Sequence, residues 1–256
     1  MKKIFALSIV LLAFSSCQKE NAVSVPEEDV AFVTIGNLIT KSQIGTDAVL
    51  KWSAEDKLAV FGNDDYTPAE FVYRSGAGYS TASFGGQKPL GDEYIVCHPS
   101  TTRCDGITLR GIIDTKVSRQ MPVQTLGSLP MWGKTKDLSK VTLSSVCGIM
   151  KLDLKGSVKL QSILLDAGRP ISGEFLCTIE DGLFAMIGGA NVVYMETDGV
   201  EIVPSEATSF YFVLPPGEYE SMKVNLTDTE GEVSYLTLED VFVIEQGVFT
   251  TVALNL

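Results

Sequence analysis

The feature that most constrains this chain is its rhythm of short apolar runs with high β-propensity, broken about every eight to twelve residues by Gly, Pro, Asn or Asp. Met150-Lys151-Leu152-Asp153-Leu154-Lys155 alternates apolar and charged side chains, and Met222-Lys223-Val224-Asn225-Leu226-Thr227 repeats the pattern. Successive side chains of a strand point to opposite faces, so each run predicts a strand with one face in a core. Phe210, Phe212 and Leu214 fall on one face of another strand, and Val252, Leu254 and Leu256 on one face of the last. Gly62-Asn63-Asp64-Asp65, Asp181-Gly182, Asp198-Gly199, Pro215-Pro216-Gly217 and Thr229-Glu230-Gly231 supply the turns, with residues that accept positive φ or preset it. No long amphipathic helix and no short repeat of the solenoid or propeller kind is present. The pattern predicts an all-β protein of sheets packed face to face.

About seven strands and a hundred residues make one Ig-like sandwich, so 256 residues leave room for two. Lys134-Thr135-Lys136-Asp137-Leu138-Ser139-Lys140 is the most polar and charged stretch of the region expected to fold, and it marks the expected boundary. Two β-sandwich domains in series, of Ig or transthyretin type, are therefore expected over 30–140 and 141–256.

The N-terminus reads as an export signal. Lys2 and Lys3 give a positive start, Ile4 to Phe14 form an apolar run interrupted only by Ser8, and Phe14-Ser15-Ser16-Cys17 places small residues before a cysteine. Such a run is too short to span a bilayer. Residues 1–16 are expected to be a lipoprotein signal peptide, with Cys17 lipidated and first in the mature chain; a plain secretory peptide with an incidental cysteine is the alternative. Each buried acyl methylene contributes about 0.8 kcal/mol, so two or three acyl chains hold a protein at a membrane. Residues 17–29 then form a polar, acidic tether containing Pro26 and Glu27-Glu28-Asp29.

Charge narrows the partners. Loss of Lys2 and Lys3 with the signal takes the formal charge from −12 to −14. Phosphate backbones repel such a body, so nucleic acid is not an expected partner. Once Cys17 is acylated, Cys97, Cys104, Cys147 and Cys177 remain, which permits three pairings in an oxidising compartment. A small loop closed by Cys97 and Cys104 and buried free thiols inside strands are both open. The cysteine spacings do not fit zinc, and the only histidine is His98.

Catalytic chemistry finds little support. His98 lies where a strand runs into a Pro turn, with no G-x-S-x-G nucleophile elsewhere to partner it. Asp64-Asp65 and Glu239-Asp240 sit at turns or strand ends, where carboxylates bond backbone amides, and Asn63 with Asp64-Asp65 lacks a complete calcium spacing. Ser75-Gly76-Ala77-Gly78-Tyr79-Ser80 lacks the third glycine and the lysine of a phosphate loop. The expectation is a protein that is not an enzyme and carries no metal or cofactor.

Several phrases together resemble the fimbrillin-like proteins of the Bacteroidales. Thr40-Lys41-Ser42 is followed ten residues on by Trp52-Ser53-Ala54-Glu55-Asp56-Lys57-Leu58-Ala59-Val60-Phe61, which resembles the family's Trp-x-x-x-Asp-x-Ile-Gly-Val-Phe segment. Tyr94-Ile95-Val96-Cys97-His98-Pro99 is similar to a family strand that ends in an aromatic pair and Pro, with Cys97 and His98 in place of the aromatics. Met121-Pro122, Leu129-Pro130-Met131-Trp132-Gly133 and Ser145 to Leu154 look like the entry to the family's second domain. The stretches Phe212 to Gly217 and Phe242 to Leu256 look like its ending. Read as residues alone, Trp52 is an apolar plug opening a core strand, and Trp132 is a core residue rather than a sugar platform.

The resemblance implies a cell-surface lipoprotein of the outer membrane, a structural, anchor or accessory subunit of fimbriae that acts in adhesion. Its implied partners are other fimbrial subunits, the membrane through Cys17, and a host or bacterial surface ligand. In polymerising members, proteolysis removes a first strand and a strand of the next subunit fills the groove. Here the removable strand would lie in Val30 to Leu38, and the inserted one around Val248 to Leu256. The best-known members are cut after an arginine in this region, yet no arginine occurs between Cys17 and Arg74, and Lys41 is the basic residue nearest the expected processing site. That departure, with an ending on the last expected strand, points to a subunit that keeps its lipid. The rival reading is a glycan-binding lipoprotein of a nutrient-uptake system, which a solvent-exposed aromatic pair at a sandwich edge would favour; an extracytoplasmic hydrolase is third.

Overall fold

The computed structural model describes residues 29–36, 39–40, 50–118 and 129–256. The expected signal peptide, Cys17 with the tether up to Glu28, Lys41 and Met121-Pro122 lie outside the described residues. The described residues form strands and no helix. The first ten strands are β1 (Asp29–Ile35), β2 (Ile39–Thr40), β3 (Lys57–Gly62), β4 (Pro68–Ser75), β5 (Thr81–Gly86), β6 (Tyr94–His98), β7 (Arg103–Cys104), β8 (Thr108–Ile113), β9 (Lys116–Ser118) and β10 (Met131–Thr135). Then come β11 (Val141–Ser145), β12 (Gly148–Lys155), β13 (Val158–Ala167), β14 (Gly173–Thr178), β15 (Phe184–Met186) and β16 (Val192–Ile202). The last six are β17 (Thr208–Leu214), β18 (Gly217–Tyr219), β19 (Met222–Asp228), β20 (Val233–Leu238), β21 (Phe242–Ile244) and β22 (Val248–Asn255).

The protein is all-β, with several sheets around two cores. Seven strands close into a barrel in the order β1-β11-β10-β6-β3-β4-β5. Its interior includes Leu58, Val60, Phe71, Phe84 and Val96, all fully buried. The small sheet β15-β14-β8-β7 adds Leu109, Ile113, Phe175 and Cys177 to the same core. Gly111 stands in register with Phe175, and a Cβ there would lie 2.6 Å from the ring, so only glycine lets the two strands approach.

The second core is filled from two sheets, β17-β12-β22-β2 and β20-β19-β13-β16-β9. Met150, Leu152, Phe210 and Phe212 enter from the first, and Ile163, Leu165, Val224 and Leu226 from the second. β19 alternates buried and less buried side chains as its sequence predicts. β12 does not. Its other face abuts the barrel side, where Ile149 and Phe249 belong to the first core and Tyr211 and Val213 pack against it. Asp153 on the same face is also buried, accepting from Ser209 Oγ at 2.5 Å and paired with Lys151 Nζ at 3.1 Å. A buried carboxylate persists only with such partners.

Two further features depart from the local reading. Asp198-Gly199 is not a turn between strands but a bulge inside β16, both residues at positive φ, where the register with β13 shifts between Leu160 and Ser162. Strands from before residue 140 also enter sheets built mainly from after it: β2 pairs with β22, β8 with β14 and β9 with β16. Across the expected boundary, β11 belongs to the barrel, paired with β10 and β1.

Candidate assembly site

β1 closes the barrel from both sides at once. Its backbone runs antiparallel to β5 from Asp29–Gly86 to Thr34–Thr81, and parallel to β11 from Val33–Val141 to Ile35–Leu143. The strand's alternation sorts its side chains: Ala31 and Val33 are fully buried, while Val30 and Phe32 are about half exposed. Phe32 N–H donates to Leu138 O at 3.0 Å and Gly36 N–H to Leu143 O at 2.7 Å, so the tie reaches past the strand's end. Withdrawal of this segment would leave two facing edges, β5 and β11, with unpaired amides and carbonyls and an apolar slot beneath. An extended segment with small or β-branched residues two apart is what that slot fits. The stretch expected at Val30 to Leu38 thus contains, in its described part, the strand that closes the barrel; residues 37 and 38 are outside the described residues.

The other segment singled out, Val248 to Leu256, forms β22 and its last residue. β22 is bonded in parallel to β12 from Phe249 to Asn255, whereas β2 pairs only with Val248 and Phe249.

The remaining sequence candidates are placed as follows. Cys97, Cys104, Cys147 and Cys177 are buried free thiols. Burial pushes Cys97 and Cys147 well above the ordinary thiol range, and the neighbouring thiols Cys104 and Cys177 respectively add to the shift. Burial raises Cys104 and Cys177 as well. The thiolate is the reactive form, so these thiols are expected to be inert in the folded, reduced protein. A disulfide-exchange reagent should label none of the four at neutral pH until denaturant is added, then all four; rapid labelling without denaturant would contradict their burial.

His98 is 3 % exposed. Its Nδ1–H donates to Leu129 O at 3.1 Å, and Nε2 faces Asp56 Oδ1 at 3.4 Å. The Trp52 ring packs edge-on against both His98, centroids 5.3 Å apart, and Phe84, 5.1 Å apart, and its Nε1–H donates to Ser80 O at 3.1 Å. Asp56 also accepts Ser53 N–H at 2.7 Å, so this carboxylate both shapes its own turn and holds His98. The sequence presents Asp56 at a fixed spacing after Trp52 and His98 at a strand end, but no local pattern pairs the two. Trp132 is half-buried against the first core. Asn63, Asp64 and Asp65 lie in a turn, where Asn63 Oδ1 accepts from Asp92 N–H and Asp65 accepts from Thr67 N–H. Among the described residues, no three His, Cys, Asp or Glu side chains are grouped to hold a metal ion.

No protein-family model matches the chain, and no curated protein matches it. Solved structures do. A candidate cell adhesion protein from Bacteroides ovatus aligns over 88% of this chain and 91% of its own, with 12% identity and a TM-score of 0.54. One from Bacteroides uniformis aligns over 89% and 94%, with 12% identity and a TM-score of 0.50. The tip fimbrial protein Mfa3 from Porphyromonas gingivalis aligns over 82% of each chain, with 13% identity and a TM-score of 0.36. The chain therefore shares its fold with the two Bacteroides proteins across nearly the full length of both, and the resemblance read from Trp52 to Phe61 and the segments after it stands at the level of fold.

Proposed function

We propose that this protein is a non-enzymatic cell-surface subunit of fimbriae, serving in adhesion as an anchor or accessory component held at the outer membrane by lipid on Cys17. The observation that carries the reading is β1, one segment whose backbone completes a barrel on two sides. Such a strand is the element that strand complementation replaces, because an incoming segment finds two hydrogen-bonding edges and a ready apolar slot. A subunit that keeps β1 keeps its barrel shut on its own strand. The fold shared with candidate adhesion proteins supports this reading.

Mass spectrometry of the N-terminus in a purified surface-polymer fraction from the native host tests it. A lipidated Cys17 is the expected result. A start at Ser42 would instead mean that cleavage after Lys41 removes β1 and β2, and would replace the anchor by a polymerising subunit. Cleavage at Lys41 of the soluble mature chain in vitro is expected to convert a monomer into a ladder of oligomers on gel filtration; a chain that stays monomeric after losing β1 would remove strand complementation from the account.

A further inference from the structure

The strand order lays out a short route for tension between Asp29 and Leu256. β1 runs parallel to β11, from Val33–Val141 to Ile35–Leu143. β11 passes into β12 with only Val146 and Cys147 between them. β12 in turn runs parallel to β22, from Ile149–Phe249 to Lys155–Asn255. A pull entering at Asp29 crosses from β1 to β11 through backbone bonds, follows the chain into β12, and crosses to β22 before leaving at Leu256.

Pairing direction decides how each crossing responds. When a parallel pair is pulled at the start of one strand and the end of the other, the strands are drawn lengthwise past each other and all their backbone bonds are stressed together. In an antiparallel pair those two points lie side by side, and the bonds open one after another. Both crossings here are parallel. β5, antiparallel to β1 from Asp29–Gly86 to Thr34–Thr81, strengthens the first, because β1 must also slide lengthwise along it.

The crossings are dry and closely tied. Ala31 and Val33 on β1, Leu143 on β11, and Ile149, Met150, Leu152 and Leu154 on β12 are all fully buried, so water is kept from replacing a stretched bond. The link between β11 and β12 is pinned as well: Val146 N–H donates to Pro130 O at 3.0 Å, and Cys147 O accepts Gly247 N–H at 2.9 Å. Leu256 N–H donates to Lys155 O at 2.8 Å, which carries the second crossing past the end of β22.

We infer that the two parallel crossings are clamps in series, which keep the subunit folded when Cys17 and Leu256 are drawn apart. Forced unfolding is governed by the barrier that the pull must cross, not by equilibrium stability. One protein is then strong along one direction and weak along another. The inference rests on the anchored reading, which supplies the pull: lipid holds the Cys17 side while the polymer draws on the other.

Single-molecule pulling on the mature chain, residues 17–256, tests the clamps. The parent is held by the Cys17 thiol and by a peptide tag ligated after Leu256; Cys97, Cys104, Cys147 and Cys177 are buried. Gln87→Cys places a thiol at an exposed position beside Gly86, which pairs with Asp29, and that chain is held by Cys17 and the introduced thiol. Lys155→Cys, combined with Cys17→Ser, is held by its own thiol, on the residue opposite Asn255, and by the tag. The parent geometry should give way abruptly, at a force several-fold above that of the two geometries that peel a strand from one end. The Gln87→Cys chain is also pulled between Cys17 and the tag, so that direction is compared within one protein of one stability. Equal force along both directions, or gradual yielding between Cys17 and the tag, would overturn the clamps. Directional strength in a chain whose N-terminus proves unlipidated removes the anchored reading alone; a lipidated chain without directional strength removes the clamps alone.

Discussion

Val33→Asp is expected to open the barrel. Val33 is fully buried and faces Ala82 on β5 and Val141 on β11, so a carboxylate placed there has no polar partner in the slot. An uncompensated buried charge costs about 3–5 kcal/mol, which for a chain of this size lowers the melting temperature by about 10 °C or more. β1 should detach, because leaving the slot relieves the charge at the expense of its backbone bonds. Limited proteolysis should then cut within Asp29 to Gly36, where the parent resists. Phe32→Asp, one residue away on the half-exposed face, should stay within about 0.5 kcal/mol of the parent. Equal melting of the two variants would mean that β1 is not the closing strand.

Trp52→Ala is the second large effect. The ring is 2% exposed and wedged against Phe84 and His98, and its loss also leaves the Ser80 carbonyl without its donor. Large aromatic deletions in a core cost about 3–5 kcal/mol, through lost burial and the cavity left behind. Denaturant unfolding should show that loss in the midpoint. A change below about 1 kcal/mol would contradict the role of Trp52 as a packing plug.

The two predictions also separate what was legible from what was not. Trp52 could be placed in the core from its own neighbourhood, because a large apolar ring opening an alternating run has few other places to go. The burial of Val33 could be guessed from alternation in the same way, but not that β1 has two neighbours. That depends on β5 and β11, about fifty and a hundred residues away in the chain, arriving on either side of it. Asp153 shows the opposite failure. Its charge marked a solvent face, yet Asp153 is buried, and Ser209 and Lys151 make the burial tolerable. Asp56 and His98 are forty-two residues apart, and only the approach of β3's leading turn to β6 makes them a pair.

What the sequence determined by itself is therefore the content of single strands: the all-β class, the side of each run that is apolar, and the turn residues between runs. These follow from a period of two and from backbone preferences that act over a few residues. Only the tertiary structure decided which strands are neighbours, which face is covered twice, and that β1 lies parallel to β11 and β12 to β22. Such choices rest on pairings between distant segments, and a strand's own residues specify its faces far more strongly than its partners.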